Sequence, residues 1–139
     1  MTTVALYDTV IDVIRIDLDS PKPLEEQIVA ELRRAIAQGV VNTGDELPSA
    51  RQLAGDLGVH WNTVARAYRR LADEGLIVVR HGRSAVVVAQ RRTPVRVAKA
   101  SLRERFTEAV AAGLVGGLSH DDIAHVFSEA LAGFPERKR

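Results

Sequence analysis

The chain has 139 residues, 46% of them apolar but only 4% aromatic, and no cysteine. One compact domain with a small appendage fits that length, its core must come from Leu, Val, Ile and Ala, and disulfides and thiolate metal sites are excluded. The net charge of +1 hides a division: residues 1–50 hold four basic against nine acidic side chains, whereas residues 51–92 hold eight arginines against three acids, a cluster that attracts phosphate.

From the N-terminus, residues 1–8 lack a basic start and carry an early acid, unlike a signal peptide. No apolar run approaches the roughly 20 residues of a membrane span. These features imply a soluble, cytoplasmic protein. Val10–Leu18 (VIDVIRIDL) alternates apolar and polar residues in its second half, which predicts a strand within an N-terminal lead-in over residues 1–22. Pro23 suits the start of a helix, because its missing N–H would have no partner there. Leu24, Ile28, Val29, Leu32, Ala35 and Ile36 form a helical stripe over Leu24–Gln38, closed by Gly39.

Val40–Pro48 is a connector with turn chemistry at Asn42–Asp45. Ser49 is placed as an N-cap, and Gln52 three residues on completes a capping box for a helix over Ala50–Leu57. Gly58 supplies the left-handed turn. A helix over Trp61–Glu74 follows, with Val64, Ala65, Tyr68 and Leu71 facing the core or its edge. Asn62, Arg66, Arg69 and Arg70 are left for solvent or a ligand. Leu76–Arg80 and Ala85–Ala89 are β-branched runs separated by His81, Gly82, Arg83 and Ser84, a hairpin with a basic tip. Two short helices, a tight turn and a basic hairpin make a winged helix-turn-helix domain over residues 23–90.

Gln90–Ala100, with Pro94, reads as a linker. Ser101–Leu114 is amphipathic and is broken by Gly113, Gly116 and Gly117. Ser119 caps a last helix whose first turn holds Asp121 and Asp122, where negative charge favours the helix dipole. Leu102, Phe106, Val110 and Leu114 of the first helix, with Ile123, Val126, Phe127 and Leu131 of the second, make an apolar stripe too large for a small monomer to leave bare. A dimer interface is expected there; the alternative is that the two helices fold back on the winged domain. The fold class is mainly α with a small β-hairpin: a winged helix-turn-helix domain plus a C-terminal two-helix dimerisation segment over residues 91–139.

The stretch from Pro23 to about Ala89 resembles the winged-helix domain of the GntR family of bacterial transcription regulators. The resemblance rests on Leu24, Gln27 and Ile28, on Gly44–Arg51 (GDELPSAR), on Leu53, Ala54 and Leu57–Val59, on Asn62–Val64, on Leu71 and Glu74–Ile77, and on Gly82. The short tail and the segment Asn62–Tyr68 (NTVARAY) resemble the YtrA-type subfamily, which implies a tail that serves dimerisation. Two departures stand out. His60 and Trp61 occupy a helix start where the family carries small polar, Arg or Pro residues, and the family's common recognition-helix arginine aligns with Ala65 rather than Arg66.

A sequence-specific DNA-binding transcription regulator is therefore expected, a homodimeric repressor on a palindromic operator. Its candidate DNA-binding residues are Ser49, Arg51, His60, Trp61, Asn62, Thr63, Arg66, Arg70, His81, Gly82 and Arg83. Arg51 would meet phosphate or a base edge at the groove mouth. Arg66 is best suited to a bidentate guanine contact, and Arg69 and Arg70 to phosphate or to salt bridges with Asp73 and Glu74. Trp61 either packs on a thymine methyl or sugar, or closes the turn against the first helix. The alternative function is a winged-helix module that binds an acidic protein partner. No cofactor is expected, and a small-molecule effector, which a dimer cleft would have to accommodate, is left open. In HDDIAH, His120 and His125 are five apart, a poor match to the i, i+4 spacing of two metal ligands on a helix, so no metal site is expected. No phosphate loop or nucleophile–base pair occurs, so an enzyme is not expected.

Overall fold

Pro23 and the branched side chains after it account for the first long helix. Pro23 is the N-cap of α1 (Leu24–Ala37), Glu25 and Glu26 sit in its first turn, and its inward stripe buries Ile28, Val29, Leu32, Ala35 and Ile36. In this computed structural model the described residues are 10, 12–80, 84–88, 94–134 and 136. They divide into two units, Met1–Gln90 and Arg91–Arg139.

The first unit continues with β1 (Glu46–Leu47), α2 (Ala50–Leu57), α3 (Trp61–Asp73), β2 (Ile77–Arg80) and β3 (Ser84–Val87). The expected capping box is formed: Ser49 Oγ accepts from Gln52 N–H at 3.2 Å and Gln52 Oε1 accepts from Ser49 N–H at 3.1 Å. Gly58 ends α2 in the left-handed region at φ 70°, where a side chain would be strained, and so turns the chain into α3. The three helices and the sheet share one core, in which Ile28, Leu32, Leu47, Leu53, Leu71 and Ile77 are fully buried.

The hairpin is part of a three-stranded antiparallel sheet of order β1-β3-β2. Leu47 pairs with Ala85 and Val79 pairs with Ala85 from the other side. The connector turn locks onto the sheet, because Gly44 N–H donates to Val87 C=O at 2.7 Å and Val87 N–H to Asp45 C=O at 3.0 Å.

The strand expected over Val10–Leu18 is not formed among the described residues. Val10, Asp12 and Val13 are helical, and Ile14 N–H donates to Val10 C=O at 3.1 Å. Val10 and Ile14, one helical turn apart, are buried together, whereas Leu18 is exposed. Burial at i, i+4 outweighs the short alternation after it. The buried Gln27 amide holds the next stretch to α1: it accepts from Asp17 N–H at 2.8 Å and donates to Asp17 C=O at 3.0 Å and Lys22 C=O at 2.8 Å.

In the second unit α4 (Val95–Val115) and α5 (His120–Ala132) form a helical hairpin. α4 begins six residues before the expected Ser101, so Val95–Ala100 of the expected linker is helical. Pro94 acts as its N-cap at φ −51° and its carbonyl accepts from Val97 and Ala98 N–H at 2.9 and 3.0 Å. Arg96, Ala98, Lys99 and Ala100, all good helix formers, then give the helix no reason to wait for Ser101. Gly113 does not break α4 either, and lies inside it: a Cβ there would come within 3.2 Å of Ile123 Cδ1, so the missing side chain lets the two helices approach. Ser119 caps α5 in a second capping box with Asp122. No residue of α4 or α5 is buried.

Candidate nucleic-acid interface

The buried side of α3 is set by Val64, Ala67, Tyr68 and Leu71. At about 100° per residue, the opposite side carries Asn62, Arg66 and Arg69 at i, i+4 and i+7. Arg66 and Arg69 are exposed and Asn62 is half-buried. Sequence reasoning put Arg66 and Asn62 forward and offered Arg69 as a phosphate contact or salt-bridge partner; the spacing groups all three. Thr63 is half-buried, and its N–H donates to His60 C=O at 3.0 Å.

His60 is the N-cap of α3, and its Nδ1 accepts from Asn62 N–H at 3.2 Å. That acceptor role leaves Nε2 to carry the ring proton. Trp61 opens the helix and keeps 44% of its surface exposed. The His60 ring lies 5.8 Å from the Trp61 ring, tilted by 31°. Arg51, the second residue of α2, places its guanidinium carbon 5.0 Å from the Trp61 centroid.

Ser49, Arg51, Trp61, Tyr68, Arg69 and Ser84 line one open cleft of about 570 Å³ between the start of α2, α3 and the hairpin strands. Tyr68 is buried, and its hydroxyl donates to Pro48 C=O at 2.6 Å, which ties α3 to the entry of α2. The Ser49 hydroxyl oxygen is engaged by its own cap.

Arg70 lies apart from this cleft. Its Nη1 is 3.6 Å from Glu25 of α1, not near the neighbouring acids Asp73 and Glu74. Glu74 is taken by Arg33, at 2.6 Å. These two ion pairs hold α1 against the C-terminal end of α3, and with both partners reached by solvent each contributes little, about 0–1 kcal/mol. His81, Gly82 and Arg83 lie outside the described residues; Arg80 and Ser84 flank them, and Arg80 is exposed. Among the described residues no cluster of three or more His, Asp or Glu side chains could hold a metal ion, and no helix is long and apolar enough to cross a membrane.

Comparison with known proteins places this geometry in a family. The profile described as "Bacterial regulatory proteins, gntR family" matches residues 24–87. The chain is 30% identical over 125 residues to the HTH-type transcriptional repressor YtrA of Bacillus subtilis, across 86% of this chain and 96% of that one. Among solved structures it is similar to YtrA from Sulfolobus acidocaldarius, a GntR-family transcription factor, with 40% identity, a TM-score of 0.59, and coverage of 71% of this chain and 98% of that one. A transcriptional antiterminator from Listeria monocytogenes shares the fold at a TM-score of 0.74 and 24% identity, over 90% of this chain and 95% of that one. The chain belongs to the gntR family of bacterial regulatory proteins and is a DNA-binding regulator of transcription, not an enzyme.

Proposed function

We propose that the chain acts in the cytoplasm as a homodimeric repressor of a palindromic operator, with residues 23–90 as the DNA-reading head and residues 91–139 as the dimerisation segment. The observation that carries the DNA-reading surface is the outward row Asn62, Arg66 and Arg69 on α3, flanked by Arg51 at the start of α2. In this reading the N-terminal end of α3 enters the major groove, with His60, Trp61, Asn62 and Thr63 near base edges. Arg66 takes a guanine edge and Arg69 and Arg51 reach phosphate or base at the groove mouth. Ser49 lies at the same mouth. The basic tip His81, Gly82 and Arg83 follows the backbone or minor groove. Arg70 reaches phosphate only by leaving Glu25, so it contributes least.

Support for the dimer comes from the bare face of the α4–α5 hairpin. Leu102, Phe106, Val110, Leu114, Val126, Phe127 and Leu131 are all exposed, and Ile123 is half-buried. Phe106 and Phe127 meet edge to face at 5.1 Å, beside an apolar groove of about 620 Å³. A helix pair that buries no residue of its own needs a partner surface. Repression is taken from the name of the Bacillus subtilis relative. A small-molecule effector, if one acts, would use a cleft completed by the dimer.

Selecting duplexes from a random pool with the intact chain, and sizing the free protein by sedimentation, tests this reading. It predicts inverted half-sites about one helical turn or a multiple apart, and a dimer mass at micromolar concentration. A monomer that enriches a single half-site contradicts the dimer. A chain that enriches no duplex even at low salt contradicts sequence reading and favours an acidic protein partner.

A further inference from the structure

We propose that Trp61 is the positioning residue for Arg51: the indole face holds the guanidinium over it and so limits where its donors point. This rests on Arg51 being a DNA contact, as proposed above. The backbone of Arg51 is already fixed. Ser49 and Gln52 cap the start of α2, and the Tyr68 hydroxyl holds the carbonyl of Pro48 one residue before the cap. The side chain is a different matter. An arginine has several rotatable bonds and loses much of that freedom when it binds.

Other arginines of the head are steadied by acids: Arg33 by Glu74 and Arg70 by Glu25. No carboxylate pairs with Arg51 among the described residues; its guanidinium carbon instead stands 5.0 Å from the Trp61 ring centroid. The choice of partner matters chemically. A carboxylate would take up the in-plane N–H donors and cancel the charge. An aromatic face engages the guanidinium through its π-surface and leaves all five in-plane donors for a phosphate or a base edge. Trp61 steadies Arg51 without spending what Arg51 needs to bind.

His60 completes the arrangement. Its ring lies 5.8 Å from the indole and is itself held by Asn62 N–H on Nδ1. The indole is therefore placed by the helix start and by a neighbouring ring whose orientation is set. This gives a reason for the aromatic pair at a helix start where small residues would be expected. With 44% of its surface exposed, Trp61 keeps a ring face free of the core for Arg51.

The test is a double-mutant cycle on the intact chain, using a duplex that the wild type selects from a random pool and a scrambled control. Trp61→Leu is expected to weaken binding to the selected duplex by about 5–30-fold. Trp61→Phe, which keeps a ring, should recover most of that loss. In an Arg51→Ala background, Trp61→Leu should cost less than about twofold, because the residue it positions is gone. Trp61 is the single tryptophan of the chain, so its emission reads the contact with Arg51 directly: Arg51→Ala should shift the emission of the free protein. Equal losses from Trp61→Leu in both backgrounds, or an emission unmoved by Arg51→Ala, would overturn the proposal. Thermal unfolding of each variant identifies one that has merely lost its fold; if that one is Trp61→Leu, the emission shift on Arg51→Ala carries the test. A wild type that prefers no duplex, or an Arg51→Ala protein that binds like the wild type, removes the DNA contact itself and the proposal with it. An additive cycle on a preferring wild type removes only the role of Trp61.

Discussion

In the proposed reading, Arg66 is the side chain on which base discrimination turns. It stands on the outward row of α3 with no ion-pair partner among the described residues, so its fork is available for a guanine edge. Arg66→Ala is expected to cost about 1–3 kcal/mol on the preferred duplex and to flatten the preference at one base pair. Titration against duplexes substituted at each position of the half-site checks this; a uniform loss across all of them would mark a phosphate contact instead. At the far end of the chain, hydrogen bonds from the Ser119 side chain and then its backbone N–H hold the Asp122 carboxyl below the ordinary carboxylate value. A lowered folded-state pKa contributes stability above the unfolded value and loses it as pH falls through the lowered one. The cap of α5 should therefore loosen only at strongly acidic pH. Ser119→Ala should return the Asp122 titration, followed by NMR of the carboxyl carbon, toward the ordinary value.

The elements that sequence reading located are those with strong local signals. The cap Ser49 with Gln52, the left-handed Gly58 and the stripe Val64, Tyr68 and Leu71 each act within a few residues, and α2 and α3 lie where those signals put them. What was missed depends on distant partners. β1 is two residues that exist because Leu47 pairs with Ala85 across the sheet, and no local pattern announces that. The N-terminal segment alternates like a strand, yet Val10 and Ile14 fold inward as a helical turn. At the site, Arg51 and Trp61 were both named, but their cation–π contact joins two helices and could not be read from either. The Tyr68–Pro48 hydrogen bond joins the same two elements. Tyr68→Phe leaves a buried carbonyl without its donor and should cost about 1–3 kcal/mol in urea unfolding, with weaker DNA binding beside it. In the tail, Gly113→Val drives a branched side chain into Ile123 and should destabilise the hairpin by about 1–3 kcal/mol. If self-association depends on the hairpin, sedimentation of that variant will show a smaller species; an unchanged mass would detach the dimer from this face.

At the scale of the whole molecule, the chain divides its labour between a basic head with an outward arginine row and a helical hairpin with an uncovered apolar face. Some acids of residues 1–50 are engaged within the head itself, as Glu25 on Arg70 and as Asp45 in the turn before β1. The positive charge that remains is concentrated where DNA is expected. That distribution makes a quantitative claim. Binding should be specific, and its affinity should fall steeply with salt, by about 10³–10⁵ between 50 and 200 mM if six to ten phosphates are neutralised. The most direct measurement is the affinity of the intact protein for a selected duplex and for its scrambled counterpart at those two salt concentrations. The account predicts a clear preference for the selected duplex at both and a steep fall with salt for each. Equal binding to the two duplexes, or an affinity that salt leaves unchanged, would contradict it.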